Sequence, residues 1–145
     1  YSKMKYITIV LHSLLCGGCE KYVLKLANEF SMIGYKVTLI TLNKEADFFE
    51  VPDGVNRINA FSYVPNNFRF FDLISLFKLT TELRKLIIST NPNIILSFIP
   101  GTNIKVLLSM LLSNIPVFVC DRSNPDFDTY SSSRIKLLHY IQLLK

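Results

Sequence analysis

Three consecutive segments near the N-terminus constrain the fold more than any other feature of this sequence. "YITIVLH" (6–12) and "KVTLITL" (36–42) are β-branched and almost wholly apolar, which is typical of strands covered on both faces. Between them, apolar residues at helical spacing predict a helix of about 16 residues that Gly34 ends. A strand, a helix and a second strand of this kind form a βαβ unit with parallel strands and a right-handed connection. The stripe consists of Cys19, Val23, Leu26, Ala27 and Phe30.

The same alternation of apolar strands and helices continues along the chain. It predicts a single α/β domain over residues 1–145, with a Rossmann-like doubly wound parallel sheet. Ligands of such sheets bind at the carboxyl ends of the strands, which would gather the loops 12–18, 43–47, 99–103 and 121–128 on one rim. The further elements that we predict are strands at 55–60, 93–98 and 115–121, helices at 71–89 and from a Thr102 cap to about Ser113, and a last helix from Ser131.

Composition excludes several classes of protein. The net charge of +5 is spread along the chain, which fits either ordinary solubility or attraction to an anionic ligand or membrane surface. No arginine-rich or aromatic-basic motif is present, so we predict no nucleic-acid partner. Three cysteines are an odd number that argues against a disulfide framework and favours the reducing cytoplasm. The longest apolar run without charges, 106–120, is too short to span a membrane.

"CGGC" at 16–19 has two chemical interpretations. Cys16 and Cys19 spell a redox dithiol or half a zinc site, but the parallel alternation does not match a thioredoxin-like mixed sheet, and zinc would need further ligands at suitable spacing. Gly17 and Gly18 follow a buried strand and open a helix, where they let the backbone approach an anion at the positive helix end. The alternative is a structural role, in which the two glycines only permit a tight turn between strand and helix. The segment matches neither G-x-G-x-x-G nor the P-loop pattern.

Other residues carry weaker signals. In "CDRSNP", Asp121 and Arg122 leave the rim side by side, either to hold a phosphate or carboxylate or to form a local ion pair. His12 could serve as a general base or as a structural hydrogen-bonding group. The apolar stripe of 68–88 is wider than one packed face needs, so core packing and shallow membrane insertion both remain open.

Five segments, in this order and spacing, resemble the N-terminal domain of glycosyltransferase family 4, which has the GT-B fold. They span residues 4 to 128 and are "HSLLCGGCEKYVLKLANEF", "GYKVTLITL", "NPNIILSF", "VFVCDRSNP" and the first strand. The resemblance implies that Gly17 and Gly18 face the diphosphate of a nucleotide-sugar donor, and that Asp121, Arg122 and Asn124 line the cleft near the acceptor. Asp121 stands where the family usually has Glu. Because "SFIPGTN" lacks the rim histidine of some relatives, no catalytic residue is assigned in this chain.

The resemblance also implies an activity. The expected reaction is retaining transfer from a nucleotide-diphosphate sugar, a UDP-sugar above all, to a lipid-linked or polysaccharide acceptor, without a metal or other cofactor. Because the chain stops inside a helical pattern, we expect it to be the acceptor-side half of a longer cytoplasmic enzyme, inactive without its donor-binding C-terminal domain and in peripheral contact with the inner face of the membrane. The alternatives from other classes are a thiol-disulfide protein and a non-catalytic nucleotide-binding module.

Overall fold

A five-stranded parallel sheet forms the centre of the molecule in the computed structural model, which describes residues 5–43, 47–60 and 73–121. The predicted α/β class and doubly wound sheet are confirmed. The strands follow the order β3-β2-β1-β4-β5. In chain order the elements are β1 (Tyr6–Leu11), α1 (Gly18–Met32), β2 (Lys36–Thr41), β3 (Val55–Asn59), α2 (Leu73–Ser89), β4 (Ile94–Phe98), α3 (Pro100–Ser109) and β5 (Val117–Cys120).

The sheet separates two hydrophobic clusters. Odd-numbered residues of β1 and β2, such as Ile9 and Leu39, pack with α1 on one face. Even-numbered residues of the same strands, such as Val10 and Ile40, pack with α2 and α3 on the other. All four side chains are fully buried, because both faces of these strands are covered, which explains their nearly continuous apolar sequence.

The end of α1 confirms the predicted role of Gly34. Its φ of 93° lies in the left-handed region that glycine adopts without a steric cost. The amide of Gly34 donates to the carbonyl of Ser31, and the amide of Tyr35 donates to the carbonyl of Phe30. These two bonds form a Schellman motif, which satisfies carbonyls that the helix end would otherwise leave unpaired.

The start of α3 differs from the prediction. The residue preceding the helix is Ile99, Pro100 occupies its first position, and Thr102 lies buried in the first turn instead of capping it. Pro100 is well suited to that place, because the first helical residue needs no amide hydrogen and proline already has a helical φ. The helix also ends at Ser109 rather than near Ser113, and residues 99–103 are mostly helix rather than a loop.

Arg84 fastens α2 to the end of α3. Its guanidinium donates to the carbonyls of Ser109 and Leu112, at 3.0 and 3.4 Å. Core packing is confirmed for the second half of α2, where Leu83 and Ile87 are fully buried. Residues 68–72 of the segment considered for membrane insertion lie outside the described residues. Within the part of the chain that the structure describes, no helix is both long and apolar enough to cross a bilayer.

Candidate functional site

The carboxyl ends of β1 and β4 meet at the point where the strand order reverses. From β1 the chain continues through α1 on one face, whereas from β4 it continues through α3 on the other. The two helices therefore diverge above adjacent strands and leave a crevice between their starts. In open α/β sheets this switch point is the usual place for a ligand.

The start of α1 forms one wall of this crevice. The helix is preceded by Gly17, which makes no side-chain cap, and the first amide bonded within the helix is that of Lys21, which donates to the carbonyl of Gly17. The amides of Gly18, Cys19 and Glu20 precede this bond, so the helix itself supplies no acceptor for them. Amides in this position, at the positive end of the helix dipole, suit an anion such as a phosphate.

Neither glycine of this turn is required by the described part of the fold. Gly17 is extended, with a φ of −150°, a conformation open to any residue, and a Cβ there would approach only the Glu20 carboxylate, the end of a flexible side chain that can move aside. Gly18 is helical, and a Cβ on it would meet no atom of the described residues within 4 Å.

The two cysteines that flank the glycines have different environments. Both are thiols rather than a disulfide; Cys16 is exposed, whereas Cys19 is half-buried and packs against the cluster beneath α1. Among the described residues, no three His, Cys, Asp or Glu side chains lie close enough together to hold a metal ion.

The junction between β4 and α3 forms the other wall. Ile99 has a φ of 75° and a ψ of 130°, an unfavourable conformation for a β-branched residue, so the surrounding structure must hold it there. Three buried polar atoms near this junction have no hydrogen-bond partner within the described ranges: Ser97 Oγ, Thr102 Oγ1 and Asn103 Oδ1. Strained backbone and unpaired buried polar groups are commoner at functional sites than elsewhere in a fold.

The predicted acceptor-side residues are only partly described. Asp121 directly follows β5 and is exposed on the same rim. Because β4 lies between β1 and β5, the carboxyl ends of β1 and β5, from which the chain continues to the glycine turn and to Asp121, stand roughly 10 Å apart. Arg122 and Asn124 lie outside the described residues, so their predicted places beside Asp121 stay predictions.

A polar cluster that the sequence analysis missed lies at the carboxyl ends of β2 and β3. Arg57 donates to Thr41 Oγ1 at 3.3 Å and to Asn59 Oδ1 at 2.9 Å, and pairs with Asp47. Burial lowers the pKa of Arg57, yet a guanidinium stays charged at any physiological pH. An arginine in the middle of the short strand "VNRIN" was the only signal, and its partners depend on strand register that one sequence does not supply.

This cluster, which we call the Arg57 cluster (Thr41, Asp47, Arg57 and Asn59), also supports the glycine turn. Asp47 begins a segment whose next residue, Phe48, donates its amide to the carbonyl of Leu14 at 2.9 Å. Leu14 is buried in the loop that leads to Gly17. The ion pair of Arg57 and Asp47 thus holds a segment that in turn holds the loop of the candidate anion site.

Comparisons with known proteins agree on the fold. The chain is similar to a glycosyltransferase from Rickettsia africae ESF-5 (13% identity, TM-score 0.56, covering 82% of this chain and 30% of that one). It is also similar to sucrose-phosphate synthase from Thermosynechococcus elongatus (14% identity, TM-score 0.64, covering 95% of this chain and 39% of that one). The C-terminal domain of a Pyrococcus furiosus hydrogenase is similar too (20% identity, TM-score 0.53, covering 80% of this chain and 90% of that one). Structural similarity at this level therefore shows the fold alone. The chain spans less than half the length of the two enzymes named first.

The family assignment comes from a different comparison. No curated protein matches the chain. The model of one family, however, matches residues 16–141, a range that begins at the glycine turn and includes Asp121, Arg122 and Asn124. It also agrees with the resemblance found in the sequence. The chain therefore belongs to Glycosyltransferase Family 4.

Proposed function

We propose that the protein containing this chain transfers a sugar, with retention of anomeric configuration, from a nucleotide-diphosphate donor to a lipid-linked or polysaccharide acceptor. UDP-sugars are the proposed donors, and this chain is the acceptor-side half of a two-domain GT-B enzyme. A C-terminal domain supplies the remaining donor contacts. Transfer breaks the bond between the anomeric carbon and a phosphate oxygen, and an acceptor hydroxyl forms the new bond and loses its proton.

The observation that carries this proposal is the glycine at position 18. A glycine in the first turn of a helix destabilises it relative to alanine, and here neither backbone conformation nor packing against the described residues requires one. Gly18 is exposed at the start of α1, among the amides that precede the first hydrogen bond of the helix. A ligand that approaches the backbone closely at this place accounts for the glycine, and a diphosphate matches the amides in charge.

The parts of the site divide between the two substrates. As the donor bond breaks, negative charge grows on the departing diphosphate, and the amides at the start of α1 stabilise it without having to reorganise. Backbone amides can perform this role without a metal. On the other side, Asp121, Arg122 and Asn124 are proposed to contact the acceptor.

The full-length protein tests this proposal directly. We expect radiolabelled sugar to pass from at least one UDP-sugar to a membrane-lipid or polysaccharide fraction, in the presence of EDTA as well as in its absence. Nuclear magnetic resonance of the product should show the anomeric configuration of the donor. If no nucleotide-diphosphate sugar donates, or if the product is inverted, the proposal is wrong.

Replacement of both Cys16 and Cys19 by alanine separates this proposal from a thiol mechanism. We expect the double variant to retain transfer within about twofold, because Cys19 packs against the core, where alanine is also accommodated, and Cys16 is exposed before the turn. Insulin reduction in the presence of dithiothreitol, with wild type as the reference, measures the competing activity. A wild type that accelerates this reduction, together with a double variant that does not, would identify a thiol-disulfide protein instead.

Membrane contact is a second part of the proposal, and a specific surface favours it. Phe77 on α2 is 75% exposed, and Leu112 just after α3 is 88% exposed, while Arg84 holds the two elements together. Lys78 and Lys85 are exposed on the same helix, so apolar and basic groups occur together, as on proteins that bind anionic bilayers.

Liposome sedimentation measures this contact. We expect the full-length protein to bind vesicles that contain phosphatidylglycerol at low salt, and the paired substitution Phe77→Ser with Leu112→Ser to weaken binding by about tenfold, because it removes the exposed apolar anchors. Met32→Ser, which changes another exposed apolar residue on α1, is the control. Equal binding by all three proteins would remove this surface from the proposal.

A further inference from the structure

The side chain of Asn103 connects two elements of the rim that are distant in sequence. It lies in the first half of α3, and its Nδ2 donates to the carbonyl of Cys120 at 3.2 Å. Cys120 is the last residue of β5, directly before Asp121. The bond therefore joins the start of α3 to the point where the proposed acceptor loop leaves the sheet.

The Cys120 carbonyl that Asn103 contacts would accept the next hydrogen bond between β4 and β5 if the strand pairing continued. The amide of Ile95 donates to the carbonyl of Pro116 at 3.0 Å, and the bonds of a parallel pair recur at every second residue. Extended along the pair, this pattern leads to the amide of Ile99 and the carbonyl of Cys120. At Ile99, however, the φ of 75° turns the chain away from the strand direction. A side-chain amide supplies a donor at the place where the backbone of β4 departs.

Burying the polar side chain of Asn103 costs free energy that its hydrogen bond must offset. Asn103 is only 1% exposed, and its Oδ1 has no hydrogen-bond partner in the ranges that the structure describes. A buried amide with one unpaired atom is less stable than an apolar side chain of the same shape. General stability of the domain therefore does not explain the choice of asparagine, whereas its single directed bond to the end of β5 does.

We infer that Asn103 is a positioning residue for acceptor recognition, which acts by fixing the direction in which the chain leaves β5 at Asp121. This inference rests on the proposed function of that loop. Asn103 itself is too deeply buried to touch a substrate, so its effect passes through the Cys120 carbonyl. Misplacement of a binding loop by about 1 Å can reduce a rate by as much as about 100-fold, so one bond at the base of the loop is sufficient.

Two substitutions and a matched control test the inference in the full-length enzyme. Asn103→Leu removes the donor at nearly constant volume, and Asn103→Ser removes it with a smaller side chain, in case leucine prevents folding. Ser109→Ala is the control, because it changes a similarly buried residue of the same helix, whose hydroxyl donates to the carbonyl of Lys105 within α3 and not to the end of β5. Transfer is measured against the amount of acceptor fraction and against UDP-sugar concentration, and hydrogen exchange is followed in peptides covering 118–125 and 36–41.

We expect both Asn103 variants to need about tenfold more acceptor for half-saturation while the KM for the donor changes less than about twofold. Exchange should accelerate in 118–125 and stay unchanged in 36–41, and Ser109→Ala should behave as wild type in every measurement. Equal acceleration in both peptides would reduce Asn103 to a general structural role, and an unchanged acceptor requirement would likewise overturn the inference. If the wild-type enzyme shows no transfer activity, the proposed function is wrong, and this inference is wrong with it.

Discussion

Replacement of Gly18 by valine is expected to lower turnover by a factor on the order of 100 while the protein folds normally. A Cβ at this position meets no atom of the described residues within 4 Å, so the valine side chain starts in open space beside the first turn of α1. Loss of electrostatic stabilisation of a departing group by a comparable set of donors costs about 100- to 1,000-fold in other enzymes. Steady-state kinetics with the UDP-sugar that serves as donor provides the measurement.

The alanine variant at the same position makes this prediction more specific. Gly18→Ala should raise the free energy of unfolding by about 0.5 kcal/mol, since it removes conformational freedom from the unfolded chain, and yet should raise the KM for the donor. Gly101→Ala adds the same methyl group to the first turn of α3, again with no atom of the described residues within 4 Å, and should give the gain in stability alone. If Gly18→Val turns over within about threefold of wild type, the glycine turn is not the donor site.

Replacement of Arg57 by methionine is expected to reduce the free energy of unfolding by about 2 kcal/mol, because hydrogen bonds to a charged group contribute roughly 1.5–3 kcal/mol. The variant leaves Thr41, Asp47 and Asn59 without their shared cation. The KM for the donor should rise as well, since the segment that supports the loop before Gly17 loses its ion pair. Urea denaturation and donor kinetics measure the two effects.

Two further variants identify which part of the Arg57 cluster matters. Asp47→Asn breaks only the ion pair, whose carboxylate is 31% exposed, and should cost less than about 1 kcal/mol. Arg57→Lys keeps the charge but not the fork that reaches several acceptors, so we expect an intermediate loss. A cost of Asp47→Asn equal to that of Arg57→Met would mean that the ion pair, rather than the hydrogen bonds along the strands, holds the cluster together.

Periodicity predicted the sheet well because its signals are local. Strands covered on both faces must be apolar, and Gly34 supplies a left-handed conformation that other residues avoid, so both features are visible without knowledge of the rest of the chain. The predicted strands were one or two residues too long at several ends. The reason is that apolar sequence continues into the rim, where Leu42 stays fully buried after the last paired residue of β2.

The site was harder to predict because its geometry depends on neighbours. A polar residue near a helix start favours a cap, which is why Thr102 was assigned that role, but contacts with the rest of the domain hold Ile99 in the position before the helix instead. The two glycines look alike in the sequence, and only the structure shows that Gly17 is extended whereas Gly18 begins the helix. Arg57 and Asn103 find their partners through strand register and helix placement, which a single sequence does not determine.

The division of the interior by the sheet has a consequence for how this domain can change during evolution. Leu39 and Ile40 are adjacent in the chain, yet one belongs to the cluster beneath α1 and the other to the cluster beneath α2 and α3. A substitution that alters the volume of one is therefore compensated by residues on its own side, distant in sequence, and not by its immediate neighbour. The layer that carries the glycine turn and the layer that carries α3 can thus accumulate changes independently, while the crevice between them stays fixed by the strands that they share.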